Sequence, residues 1–321
     1  MNPHHAPLRT LPEIALAAPL MLGYWPEDSV CVIVVDGDGR VLLMMRWPAE
    51  ASLELSDLPD LGPSGLDAAG FHVIVVPAAG VDAHEVALVT AADLEAMDLP
   101  ALRLLALERQ GASVAWQSFG AHGRSVRGTI DEQRIAAVAG RWGLPPWAPS
   151  RHDYVSDIAR RPERRAEVGR CLPDVDDITE TSRDAAIRQS WAALTGQWQE
   201  SPEAIAHLLV AVDDVVVRDT LLWDLMSEGP CCWPTAADRL AQAVAAAPAG
   251  RIAAAATVLA LLRWQMGDGS RALAAVERAL EDRPSYSLAQ LVDCCLGMGM
   301  HPATWREGVV GMRREDCRRP A

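Results

Sequence analysis

Apolar and polar positions change their period partway along the chain. Residues 11–22 read as a short helix, with Thr10 as N-cap, Pro12 in the first turn and Gly23 after the end. Val30 to Val35 is an unbroken β-branched run suited to a strand buried on both faces. The turn Asp36-Gly37-Asp38-Gly39 then leads into a second strand, Val41 to Trp47, so the two predict a hairpin. Residues 50–70 read as loop or short helix, Phe71 to Val76 as a strand, and Val86 to Thr90 as a weaker strand. Ala91 to Gln110 carries helical periodicity through Leu94, Met97, Leu102, Leu105 and Leu107. Ala112 to Phe119 and Ser125 to Ile130 predict a second hairpin.

Beyond the Pro-rich segment Gly143 to Pro149 the strand signals nearly vanish. Ser182 to Gln199, Ser201 to Val212, Val215 to Glu228, Ala236 to Ala246, Ile252 to Met266, Ser270 to Glu281 and Ser287 to Met298 all read as helices. Ser201-Pro202-Glu203 supplies a cap, a first-turn proline and an acid at the positive helix end. Ile252 to Asp282 fits half of a tetratricopeptide pattern, with Leu259, Ala260, Ala272, Val276, Ala279 and Pro284 at packing positions; Ala256 and Arg263 occupy its Trp and Tyr positions. The predicted fold class is α+β. An N-terminal α/β lobe with a mixed sheet (1–148) precedes an all-α lobe with a tetratricopeptide-like helical hairpin (149–321).

Composition narrows the chemistry. All 29 basic residues are Arg, so a Schiff-base lysine and the lysine of the usual phosphate-binding loop are both excluded. Residues 1–100 hold 15 acidic residues and 3 Arg, a net of −12 out of −14 for the chain. Such a lobe repels phosphate backbones, and nucleic acid is not expected as a partner. The runs Arg160 to Arg165 and Arg313 to Arg319 are broken by carboxylates and read as solvated surface. Seven cysteines without framework spacing imply free thiols in a reducing compartment, hence a cytoplasmic chain. No apolar run approaches the ~20 residues that span a bilayer.

Two stretches resemble the actinobacterial domain-of-unknown-function family 4192. One is Leu16-x-x-Pro19-x-x-Leu22-Gly23-Tyr24-x-Pro26-x-Asp28-Ser29-Val30 with Arg46 on the following strand. The other includes Leu208 to Ala211, Asp214-x-x-Val217-Arg218-Asp219, Trp264-x-x-Gly267-Asp268-Gly269-x-x-Ala272, Glu277 to Leu280, Pro284-x-Tyr286-Ser287-Leu288-Ala289 and Pro302-x-x-Trp305-Arg306. The family continues the arginine of its second strand with Asp-Leu-Pro, whereas Arg46 is followed here by Trp47-Pro48. The resemblance implies a family and no activity.

Imitations of known sites fail on context. Gly267 to Ala272 mimics a dinucleotide fingerprint, but a helix precedes it where a strand is required. Asp36-Gly37-Asp38 starts like a calcium loop, but Arg40, Val41 and Trp47 hold later ligand and glycine positions. No two of the eight histidines have zinc spacing. The expectation is therefore no catalytic residue, cofactor or metal.

Two polar groups stand out as candidate ligand or partner anchors. Asp28, Ser29 and Arg46 meet where a loop feeds the first strand, although Ser29 lacks a nucleophile-elbow context. Asp213, Asp214, Arg218 and Asp219 form the densest polar cluster in an apolar region, and Arg218 is expected to reach Asp214 at i, i+4. Both also fit structural roles, as a capped loop and an ion-paired helix junction. The expected function is a non-catalytic interaction or regulatory module with a protein partner. The alternative is a small anionic ligand-binding protein or hydrolase, with Arg46 clamping an anion and Asp28 orienting it or acting as base.

Overall fold

A capping box starts the chain's first helix, α1 (Leu11–Leu22): Glu13 N–H donates to Thr10 Oγ1, and Thr10 N–H donates to Glu13 Oε2 at 3.0 Å. The structure is a computed structural model. It describes residues 7–49, 68–96, 98–120, 125–173, 178–196 and 198–318, so most of the 50–70 expectation, Met97 and Arg319 lie outside the described residues. The fold is α+β, in two compact units, Met1–Tyr154 and Val155–Ala321.

The first unit is built on a six-stranded mixed sheet. Its strands are β1 (Ser29–Val35), β2 (Val41–Pro48), β3 (Gly70–Val76), β4 (Ala101–Gln110), β5 (Ser113–Phe119) and β6 (Ser125–Ile130), in the order β2-β1-β3-β4-β5-β6. β3 and β4 are parallel and the other neighbours antiparallel. The parallel pair needs a crossover, and helix α2 (Ala83–Glu95) provides it. β1 and β3 are buried at every position, as continuous apolar strands covered on both faces should be. Cys31, Ile33, Ile74, Leu105 and Leu107 pack with α1 and α3 (Glu132–Trp142). Val30, Val32, Phe71 and Val73 pack on the other face with Ala87, Ala91 and Leu94 of α2.

Two expectations are overturned in this unit. Val86 to Thr90 is not a strand but part of α2. Asp82 caps that helix through His84 and Glu85 N–H, and Ala87, Thr90, Ala91 and Leu94 form its buried face at helical spacing. Ala91 to Gln110 is not one helix: α2 ends at Glu95, and Ala101 onward is β4. Its Leu and Ala residues favour a helix, but β3 and β5 flank this segment and pair its backbone along both edges. Helix α3, capped by Asp131 and closed by left-handed Gly143, is an element the periodicity reading passes over.

The Pro-rich segment 143–149 belongs to the first unit. Trp25 N–H donates to Ala148 O (3.0 Å) and Ala148 N–H to Gly23 O (2.7 Å). Gly23 has φ 79, and a Cβ there would meet the Tyr154 ring at 2.3 Å, so glycine is required by both conformation and space.

The second unit contains α4's successors in the chain; α4 itself (Arg151–Tyr154) closes the first unit. They are α5 (Pro162–Cys171), α6 (Glu180–Thr195), α7 (Pro202–Asp213), α8 (Val215–Glu228), α9 (Trp233–Ala246), α10 (Ala253–Gln265), α11 (Gly269–Asp282), α12 (Ser287–Gly297) and α13 (Pro302–Gly311). α10 is buried all round from Ala253 to Trp264, as the central helix of a bundle must be. Ala255, Ala256, Leu259 and Ala260 are fully buried, as are Ala272, Ala275, Val276 and Ala279 of α11, so small residues let these helices lie close. Asp282, the last residue of α11, accepts hydrogen bonds from the N–H groups of Ala253, the first residue of α10, of its N-cap Ile252, and of Gly250 in the turn before it.

Candidate functional site

The hairpin brings Ser29 and Arg46 together. Cys31 is paired with Arg46 in the β1–β2 register, and Arg46 Nε donates to Ser29 Oγ at 2.9 Å. The fully buried Ser29 hydroxyl donates to Glu27 O at 2.6 Å. Its proton is thus directed at a carbonyl and a lone pair at a guanidinium, which leaves no general base to activate it. Arg46 lies 5.8 Å from the Tyr24 ring centroid. Complete burial pushes the neighbouring Cys31 thiol up to about 12, against the pull of Arg46, so it is a packed apolar group and not a nucleophile.

Asp28 does not join this pair: its carboxylate has no hydrogen-bond or ion-pair partner among the described residues. The residue is exposed and has φ 47, a left-handed conformation that Asp tolerates better than most residues. Ala49 N–H donates to its carbonyl at 2.9 Å.

Asp28 borders a cleft of about 840 Å³ over one end of the sheet. Register explains which residues line it. Val30 pairs with Val75, Val75 with Ala106, Ala106 with Gln117 and Gln117 with Arg127, forming one row from β1 to β6. Ala106, Gln117 and Arg127 of this row line the cleft, with Glu108 and Thr129 from adjoining positions. The site lies outside the carboxyl ends of the parallel pair β3 and β4, where α/β sheets commonly hold ligands. Trp116 forms part of its wall and lies across Gly128 on the next strand; a Cβ at 128 would meet the indole at 2.6 Å.

The two ends of this cleft carry opposite charge. Glu27 and Asp28 stand on the loop entering β1, and Arg127 stands on β6, the far edge strand. None of these three side chains has a polar partner among the described residues. Between them, Gln110 Nε2 donates to Glu108 Oε2 and Arg109 Nε to Gly111 O, each at 3.4 Å. A smaller recess of about 350 Å³ at the start of α2 shares Ala106 and Gln117, and His84 stacks on Phe119 there at 4.6 Å.

The helix-junction cluster is arranged differently from expectation. Arg218 does not pair with Asp214. Its Nε and Nη2 donate to Asp219 Oδ1 (2.8 and 2.7 Å), and its Nη1 donates to Tyr286 Oη. Asp214 instead caps α8 through Val217 N–H (3.0 Å) and pairs with Arg183 (3.1 Å), because a cap carboxylate turns toward the free amides of its own helix. Asp213 holds both Arg251 and Arg283 at 3.1 Å. Burial works to lower the Arg218 pKa, but Tyr286 and Asp219 outweigh it and the net direction is upward.

Arg109, Gln117, Arg127 and Thr129 escape sequence reasoning, since their meeting depends on strand register. The one available signal is alternation: Glu108, Gln117, Arg127 and Thr129 share one side of β4, β5 and β6, whereas Arg109 lies on the other. Among the described residues no group of three His, Cys, Asp or Glu side chains could hold a metal, and no helix is long and apolar enough to cross a membrane. No curated protein and no solved structure matches the chain. The family model described as domain of unknown function (DUF4192) matches residues 12–303, and the chain belongs to that family.

Proposed function

We propose that this chain is a non-catalytic recognition module that holds a segment of a protein partner. The observation that carries this reading is the lining of the 840 Å³ cleft: charged, amide and indole groups, with Thr129 as its one hydroxyl side chain and no histidine or cysteine. Hydroxyl and thiol nucleophiles are usually activated by a neighbouring imidazole, and Thr129 has no such partner in this lining. A small anion suits the lining less well, since Glu27, Asp28 and Glu108 outnumber Arg109 and Arg127.

A random synthetic peptide library passed over the immobilised full-length chain tests this. Peptides should be retained with unchanged mass. Retention should weaken about tenfold in Thr129→Trp, which fills the cleft from an exposed edge-strand position. Cleaved or modified peptides, or retention indifferent to the indole, would overturn the reading.

A further inference from the structure

We infer that the cleft takes an extended peptide segment of about five or six residues, cationic at one end and anionic at the other. This rests on the recognition reading above and specifies what is recognised.

Length comes from the sheet. Glu27 and Asp28 lie where the chain enters β1, and Arg127 lies on β6, with β3, β4 and β5 between. Four interstrand steps of ~4.8 Å separate the two ends by about 19 Å, and an extended chain covers that distance in about five or six residues. A single amino acid or small zwitterion cannot reach both ends.

Polarity comes from the unanswered charges. Glu27 and Asp28 present carboxylates at one end, and Arg127 presents a guanidinium at the other, none with a polar partner among the described residues. The acidic end is held in place before any ligand arrives. Ser29 Oγ donates to Glu27 O, Arg46 donates to Ser29 Oγ, and Ala49 N–H donates to Asp28 O. A loop tied down in this way loses little freedom on binding. Arg46 thus acts on the cleft through Ser29, as a positioning residue. The middle of the cleft fits a main chain: Ala78, Ala79, Ala106 and Ala115 leave room for it, and Gln110, Gln117 and Thr129 offer donors and acceptors to its amides.

Blocked synthetic peptides of about six residues, randomised inside and fixed at the ends, test the inference on the immobilised full-length chain at about 50 mM salt. Pools ending in Lys and Glu, in either order, should be enriched about tenfold over Lys/Lys and Glu/Glu pools. Arg127→Glu should transfer that preference to the Lys/Lys pool. If peptides bind and Thr129→Trp releases them, yet all pools bind alike, the end-charge inference falls and the recognition reading survives. If no pool is retained, both fall.

Discussion

The polar groups around Arg218 and those around the sheet cleft differ in how far they satisfy one another. In the helical unit Arg218 is 8% exposed and is bonded to Asp219 and Tyr286, while Asp213 holds two further arginines. At the sheet end Glu27, Asp28 and Arg127 face a cleft with no polar partner among the described residues. A dense polar cluster within apolar helices thus marks a junction whose charges answer each other. Polar side chains strung along strand ends leave bonding capacity for something else. Ser29 and Arg46 fall between these cases, bonded to each other while the guanidinium stays exposed.

The sharpest way to break this contrast is Arg218→Met. It strands the buried Tyr286 hydroxyl and leaves Asp219 without its guanidinium, so a stability loss of about 3 kcal/mol is expected from urea unfolding. A loss under about 1 kcal/mol would remove the distinction between junction and cleft.

Acid should act next most strongly, through the sheet unit. His72 lies on β3, paired with Ile33 and Arg103, with its Nδ1 buried and unbonded. Burial first, and Arg103 second, hold its pKa at about 4, below the ordinary 6.5. As pH falls through 6.5 the unfolded chain takes up a proton that the native chain refuses, so stability drops until pH nears 4. Between pH 7 and pH 5 the expected loss is about 2 kcal/mol, and His72→Leu should abolish that share of it. An acid response unchanged in the leucine variant would assign the sensitivity elsewhere.

The smallest effect is expected at Arg46→Ala. Ser29 keeps its bond to Glu27 O, and the exposed guanidinium gives up one hydrogen bond, so the loss should stay below about 1 kcal/mol. A larger loss would move Arg46 into the same class as Arg218.

Local chemistry made much of this fold legible. Thr10, Gly23, Ser201 and the β-branched run at 30–35 each mark their element by a mechanism that acts within a few residues. β4 was illegible because Leu and Ala dominate it and only its neighbours make it a strand. The same limit hides the cleft. Asp28 stands out in the sequence as a loop acid near a strand, but Gln117 and Arg127 join it only through a register spanning five strands. At the helix junction the residue types were legible and the pairing was not. Sequence spacing allows Arg218 to reach Asp214, whereas the cap demands that carboxylate for backbone amides.

Asp282 carries a consequence for how the helical pair comes apart. A negative charge sits poorly at the trailing end of α11, yet the same carboxylate closes the leading end of α10 by collecting the amides of Ala253, its N-cap Ile252 and Gly250 in the turn before it. Unwinding the last turn of α11 therefore uncaps α10 in the same event. Fraying that would begin separately at two termini is coupled into one step, and the two helices open together or remain closed.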